Sequence, residues 1–393
     1  MPHVVTLNAG SSSIKFALFS LNGGAPLALA LGLVEEVAHE RHIRVKDGAG
    51  AVMFEERWSN ASTQFHDDAL THVLAWRKAA FPDAQVVAAG HRVVHGGVRY
   101  EAPILVTDDV LDYLRSLTIL APLHEPHNLA GIEAAQKAWP HVQQVACFDT
   151  SFHRAHPWVN DTFALPRSFY EEGVRRYGFH GLSYEYVTGK LREIAPHHAN
   201  GRVLIAHLGN GASMCAIRDG LSVASSMGFT ALDGLPMGTR CGQLDPGVVL
   251  YMLEQGMSAP EITNILYKES GLKGLSGLSA DMRELEDADT VEARQAIEYF
   301  VFRIRREAGG LAAILKGLDA FVFCGGIGEN AWHVRERVLE GMEWIGIELD
   351  REANRINAPV ISSERSRVKV FIIPTNEEAM IARHTLDVIN AQT

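Results

Sequence analysis

The chain has 393 residues, more than one ordinary core organises and enough for two or three packed domains at roughly 150 residues each. Its 36 basic and 47 acidic side chains leave a formal charge of −11, which excludes nucleic acid or anionic lipid as the main partner, since both call for a basic stripe. With 47% hydrophobic and 21% charged residues the composition is that of a soluble globular protein, and glycine alone stands out, at 35 residues where average usage gives about 28.

Val4 to Leu7 and Ile14 to Phe19 are short apolar runs on either side of Asn8-Ala9-Gly10-Ser11-Ser12-Ser13, which predicts a β-hairpin. Leu27 to Val34 and His42 to Val45 add strands, Phe65 to Phe81 a helix and Gln85 to Ala89 a strand. Helices over Asp108 to Leu117 and Leu129 to Trp139 precede a strand at Val142 to Phe148, and the pattern lapses between Asp149 and Pro157. The second half opens the same way: a strand at Val203 to His207, a small-residue turn at Leu208 to Ser213, and strands at Met214 to Ile217 and Leu221 to Ser226. From Thr290 to Leu315 a helix is expected, with Ile297, Val301, Ile304, Ala308, Leu311 and Leu315 on one buried stripe. Val322 and Phe323 lie in the next strand, Val368 to Ile373 in the last, and a helix follows Pro374. Strand, Asn/Gly/Ser turn, strand thus recurs about 200 residues apart, as in a duplicated α/β fold whose two mixed sheets, flanked by helices, set their turns opposite each other across a cleft.

Several segments carry chemistry. Residues two apart on a strand share a face, so Ser11, Ser13 and Lys15 offer two hydroxyls and an ammonium suited to a phosphate chain, or else the segment is a plain hairpin. Cys324 to Asn330 puts glycines between a strand and a helix, where a ligand can approach the backbone, yet Ala331 breaks G-x-G-x-x-G and no G-x-x-x-x-G-K-[ST] is present. Gly271 to Ala280 reads as a ligand contact or a mobile surface loop. Arg92 and Arg240 stand in glycine-bearing loops where a guanidinium fork suits a carboxylate or phosphoryl group. His180, between glycines, is placed to project into a site. Among the 18 histidines His124-Glu125-Pro126-His127 is one residue short of H-E-x-x-H and its proline forbids the helix, while His153 and His156 lack a third ligand; zinc is not expected. Thr375 and Glu378 have capping-box spacing, which leaves Glu377 as a carboxylate for Mg2+ or as a first-turn acid complementing the helix dipole. Cys147, Cys215, Cys241 and Cys324 read as reduced core thiols, no basic n-region precedes a long apolar stretch, and no uncharged apolar run approaches the roughly 20 residues of a membrane span. A soluble, cytoplasmic protein is expected.

Taken together, LNAGSSSIKF (7–16), RRYGFHGLSYEYV (175–187), HLGNGAS (207–213), MGFTALDGLPMGTR (227–240), FCGGIGEN (323–330) and IPTNEE (373–378) resemble the acetate kinase family, in order and spacing, from Val4 to about Arg383. The resemblance implies a two-domain, duplicated ribonuclease H-like fold of the acetate and sugar kinase, actin and chaperone-ATPase superfamily. The expected division is 1–150 for acyl substrate and phosphate, with a C-terminal helix 379–393 packing back on it, and 151–378 for nucleotide. It further implies a homodimer and a reversible, direct in-line phosphoryl transfer from ATP to acetate, giving acetyl phosphate and ADP, with Mg2+ and Mn2+ as the alternative ion. By the same resemblance Asn8 and Glu377 match the metal positions, Arg92 the substrate-carboxylate arginine, and Asp149 the acid. His180 and Arg240 match the groups that stabilise the transferring phosphoryl. Lys15, His207, Leu208, Gly209, Asn210, Gly211, Asp281, Met282, Arg283, Gly326, Ile327, Gly328, Glu329 and Asn330 match the nucleotide contacts. Acetate is already ionised at pH 7, so Asp149 is as well read as orienting Arg92, Arg240 or the metal.

The chain departs from the family in places. The apolar acyl pocket falls on Val94, Leu123, Phe179 and Ala231, and many members have proline where Ala231 stands; Leu182, Tyr184, Glu125, His127 and Gln243 also differ from the commoner residues. A smaller side chain at 231 admits an extra methylene, worth only about 1–3 kcal/mol of discrimination, which leaves acetate against propionate open. Two rival classes are an actin- or chaperone-like ATP-binding module, for which 393 residues leave no partner domain, and a metal-dependent hydrolase, which would carry zinc.

Overall fold

In the computed structural model, which describes residues 2–21, 26–37, 40–59, 65–122 and 124–392, the chain divides into two compact units. One is Met1–Ser151 with Asn376–Thr393; the other is Phe152–Thr375.

The first unit is built on an eight-stranded sheet of β1 (Pro2–Ala9), β2 (Ser13–Ser20), β3 (Leu27–Val37), β4 (Glu40–Asp47), β5 (Val52–Ser59), β6 (Gln85–Val93), β7 (Ile104–Leu105) and β8 (Gln143–Phe148), in the order β5-β4-β3-β2-β1-β6-β8-β7. β1 is buried along most of its length, on both faces, because both are covered. Val5, Leu7 and Ala9 join Phe16, Leu18, Val34 and Ile43 under the helices Phe65–Ala80 and Glu125–Ala138, while Val4 joins Ala17, Phe19, Ala88 and Ala382 under the helix Glu377–Asn390. That last helix therefore belongs to the first unit from its first residue, since Ile381 and Thr385 lie against Gly90 of β6. β5 has no counterpart among the strands expected from sequence. It is an edge strand with most residues exposed, so Val52 to Ser59 lacks the apolar alternation that marks a half-buried strand, and its pairing to β4 is supported by Glu55, which accepts from Arg44 and bonds His42, each at 2.8 Å.

The second unit has a five-stranded sheet of β9 (Arg202–Leu208), β10 (Ala212–Arg218), β11 (Leu221–Ser225), β12 (Ala320–Cys324) and β13 (Lys369–Ile372), in the order β11-β10-β9-β12-β13. This order repeats β3-β2-β1-β6-β8, and the directions repeat too: two antiparallel pairs, then two parallel ones. The duplication expected from the recurring hairpin is thus present strand for strand, and the fold is α/β with two mixed sheets flanked by helices. Val203, Ile205, Cys215, Ile217 and Val322 pack against Tyr184, Val187 and Leu191 of the helix Gly181–Ile194. The helix Val291–Leu315 buries Ile297, Val301, Ile304, Ala308, Leu311 and Leu315, as their spacing demands, and is capped by the Thr290 hydroxyl accepting from the Ala293 amide at 3.1 Å.

Two local expectations are corrected. Gly271–Ser276 is a helix with Gly271, Leu272 and Ser276 buried, where sequence left a mobile loop as one reading. Its six residues are too few for periodicity to register against three glycines in the segment. The helix Glu377–Asn390 is capped by Asn376, whose side chain accepts from the Ala379 amide at 2.9 Å, rather than by Thr375 in a capping box. Thr375 instead bonds the Ser183 hydroxyl at 2.7 Å.

Candidate active site

In the first unit the residues picked out by sequence gather around one guanidinium. Arg92, near the end of β6, meets Asp149, just past the end of the neighbouring β8, through Nη2 at 2.6 Å and Nε at 3.1 Å. Nη1 reaches the Asn8 Oδ1 at the end of β1 at 3.3 Å, and the Glu377 carboxylate lies 3.7 Å from Nε. Three parallel strand ends and one helix start thus supply four polar groups to one point. Asp149 is buried and Arg92 keeps 21% of its side-chain surface open. Burial works against the charge of Arg92, but Asp149 and then Glu377 outweigh it, and its pKa rises above the ordinary arginine value. Val94 is buried two residues on, and Leu123 lies outside the described residues. Ser13 and Lys15 share a face of β2, with Lys15 exposed, while Ser11 sits in the turn before the strand, where Gly10 donates to the Ser13 carbonyl at 2.8 Å. Lys15 lines a cavity of about 330 Å3 together with His42, Arg44, Lys46 and Glu378.

In the second unit His180 caps the helix Gly181–Ile194 with φ 58°, a left-handed conformation that few non-glycine residues adopt. Its Nδ1 bonds the Ser213 hydroxyl at 2.8 Å, its ring stacks on His207 with centroids 4.3 Å apart, and Tyr184 closes the network by bonding the same Ser213. His207 is held in turn by Ser183 at 2.8 Å. Gly211 keeps the space between: a Cβ there would stand 3.2 Å from His180 Nε2 and 3.7 Å from Arg240 Nη2. Arg240 donates through Nη1 to the carbonyl of Ala231 at 2.8 Å. His180 and Arg240 therefore meet over a glycine in the turn between β9 and β10. Phe179 is buried, its carbonyl bonded to His153 at 2.9 Å.

Beside that turn is a cavity of about 570 Å3, the size of a nucleotide pocket. Gly209 and Asn210 from the turn, Asp281, Met282 and Arg283 from the start of one helix, and Gly326, Ile327 and Asn330 from another line it together. The glycine segment is not a turn before a helix but the helix itself, Gly325–Asn330, starting directly at the end of β12. His207, Leu208, Gly211, Gly328 and Glu329 are not in the cavity wall. Leu208 and Gly328 are buried, and Glu329 accepts from the amides of Gly325 at 2.9 Å and Thr375 at 3.1 Å, which fixes the start of the helix. Lys15 lies in the other unit.

Sequence reasoning missed Glu286, which lines the cavity on the helix Met282–Asp287, one turn after Met282. Its four-residue spacing from Met282 would have put it on the same face. It also missed Arg335, which is buried and donates to the Gly328 carbonyl at 2.8 Å and to the Asn354 side chain and carbonyl at 2.9 Å each. His153 and His156 share the Ser222 hydroxyl at 2.8 and 2.7 Å, and burial brings them down to about 4 and about 2, so both are neutral. Among the described residues no cluster of three His, Cys, Asp or Glu side chains suits a metal. None of the four cysteines is in a disulfide, and three of them are buried.

Residues 3–383 match the acetokinase family. The chain is 73% identical over 395 residues to an acetate kinase of Methylocella silvestris, covering 98% of each, and 51% identical over 387 residues to an acetate kinase of Rhodopseudomonas palustris, covering 97% of each. Among solved structures it resembles a propionate kinase from Francisella tularensis, with a TM-score of 0.90 and 36% identity over 99% of this chain and 100% of that one. An acetate kinase of Porphyromonas gingivalis gives 0.87 at the same identity and coverage.

Proposed function

The chain belongs to the acetokinase family, and from that membership we propose that it catalyses the reversible, Mg2+-dependent transfer of the γ-phosphoryl group of ATP to acetate, giving acetyl phosphate and ADP. The observation that carries the acceptor class is the Arg92 guanidinium, oriented by Asp149 yet still partly open. A planar fork of this kind binds a carboxylate and aligns it for attack.

Acetate is ionised at neutral pH, so its oxygen needs no base. It forms the new bond to the γ-phosphorus as the bond to the β,γ-bridging oxygen breaks, and that oxygen leaves on ADP with the electron pair. Asp149 spends both carboxylate oxygens on Arg92 and acts as its orienting partner. His180 and Arg240 take the charge that spreads over the transferring group, each already fixed by a hydrogen bond and so needing no reorganisation. The nucleotide occupies the cavity bounded by Asn210, Arg283 and Ile327, and Lys15 is assigned to phosphate from the family resemblance alone. Mg2+ fits Asn8 and Glu377: the amide oxygen and carboxylate converge on Arg92, and two hard oxygens suit an ion that keeps several waters and takes phosphate oxygens. The chemistry supplied by the bound ion is neutralisation of charge on the β- and γ-phosphates; Mn2+, which favours the same ligands, is the alternative.

From the family resemblance Val94 in the first unit, and Phe179 and Ala231 in the second, are assigned to contacts with the acyl group. A homodimer is supported by the helix Pro246–Glu254, which buries none of its residues and exposes Leu250, Tyr251 and Leu253. A cytoplasmic enzyme is in keeping with four cysteines outside any disulfide, and among the described residues no helix is long and apolar enough to cross a membrane. Purified protein with ATP, Mg2+, acetate and hydroxylamine should accumulate acetyl hydroxamate; no product with acetate, propionate or butyrate would overturn the assignment.

A further inference from the structure

The parallel ladder between β1 and β6 ends at Leu7 and His91. The next residue of each strand is a site residue, Asn8 on one and Arg92 on the other, and beyond the ladder no backbone bond joins the two strands among the described residues. Asn8 stays paired with Lys15 on β2 and Arg92 with Cys147 on β8, so each is held on its outer side only. Their side chains nevertheless meet, at 3.3 Å, and that spacing needs a cause.

The helix Glu125–Ala138 provides it. Asn128 is 4% exposed, its Nδ2 donates to the Ala9 carbonyl at 2.9 Å, and its Oδ1 accepts from the Val94 amide at 3.0 Å. Ala9 follows Asn8 directly and Val94 lies two residues past Arg92. A primary amide carries the same donor and acceptor as a peptide unit, so Asn128 acts as one extra rung across the two strand ends, beyond the point where the ladder stops. The helix can come this close because of Gly131, three residues on: a Cβ there would stand 2.6 Å from the Ala9 Cβ. Both atoms of the amide are used, in opposite directions, on the two strands that carry the carboxylate arm.

We propose that Asn128 is a positioning residue for the reaction: it sets the separation of the β1 and β6 ends, and through it the placement of Asn8 and Arg92, without touching substrate. The proposal rests on Arg92 being the acyl-carboxylate ligand. A residue of this kind differs from one that only stabilises the fold, because its loss changes how acetate is held and leaves the residues that line the cavity of about 570 Å3, all of them in the second unit, as they were.

The test is a full kinetic comparison of wild type with Asn128→Asp and Asn128→Leu, with thermal unfolding of each. Asn128→Asp keeps an acceptor for Val94 but sets a carboxylate against the Ala9 carbonyl; Asn128→Leu keeps the shape and loses both bonds. For each, the acetate KM should rise and kcat fall by about tenfold, the worth of one or two buried hydrogen bonds, with the ATP KM within about twofold of wild type. If either fails to fold, Asn128→Ser, uncharged and too short to span both partners, takes its place with the same expectation. Lower melting points with an unchanged acetate KM would show a structural role alone and overturn the proposal. Absence of acyl phosphate with the wild type itself would instead overturn the functional reading beneath it.

Discussion

Glu125 shows how one buried residue can leave a mark that can be measured. It begins the helix that carries Asn128 and is fully buried, with no side chain bonded to its carboxyl among the described residues. Burial pushes its carboxyl up to about 8, against the opposing pull of the His95 backbone. The unfolded chain releases this proton near pH 4.5 and the folded chain near 8, so between these values the folded state binds more protons and stability falls as pH rises. Glu125→Gln removes that loss. Urea denaturation at pH 5 and pH 8 should find the variant close to wild type at the lower pH and more stable by a few kcal/mol, about 2–4, at the higher. A difference that is the same at both pH values would show that Glu125 ionises in the fold as it does in water. At Arg92 the balance runs the other way, because acids face it: the same burial that neutralises Glu125 leaves Arg92 charged.

At the scale of elements, the nucleotide cavity depends on a helix of six residues, Gly325–Asn330, too short to hold itself. Glu329 fixes its first amide, and Arg335 holds the Gly328 carbonyl near its end while its other nitrogens bind Asn354 and Asn357. Burial lowers Arg335 to about 10, and among the described residues no carboxylate pairs with it, so it remains a cation whose worth lies in donated hydrogen bonds. Arg335→Met should destabilise the protein by about 2–4 kcal/mol, since it strands several buried acceptors, and should raise the ATP KM. A variant with wild-type stability and ATP KM would remove Arg335 from this account. None of this was legible in the sequence: Cys324 to Asn330 reads as a glycine turn, because glycine signals backbone freedom and says nothing about side-chain bonds made from a distance. Elements with a long buried stripe, such as Val291–Leu315, were legible because period and burial agree. β5 was not, since an exposed edge strand has no stripe, nor was the Asn376 cap, because spacing cannot tell which of two adjacent polar residues turns its side chain to the helix. Within the candidate site, Arg92, Arg240 and His180 stood out by their glycine neighbours. Asn128 did not, because an asparagine inside a helix has no local signature and its partners are 34 and 119 residues away.

At the scale of the whole molecule, two sheets of the same order carry different chemistry on the same feature. In each, the end of the first strand or the turn after it supplies the site: Asn8, at the end of β1, bonds Arg92 in one unit, and Gly211, in the turn after β9, stands beside His180 and Arg240 in the other. A net charge of −11 is no obstacle, since a nucleotide and a small carboxylate are met by local arginines whatever the sign of the total. In the proposed reaction a phosphoryl group passes between an acyl carboxylate and a nucleotide on this chain. Incubation with acetyl phosphate, ADP and Mg2+, followed by phosphorus NMR, follows that passage atom by atom. Loss of the acyl-phosphate signal should be matched one for one by the γ-phosphorus of ATP; release of the same phosphorus as inorganic phosphate, or no ATP at all, would overturn the assignment.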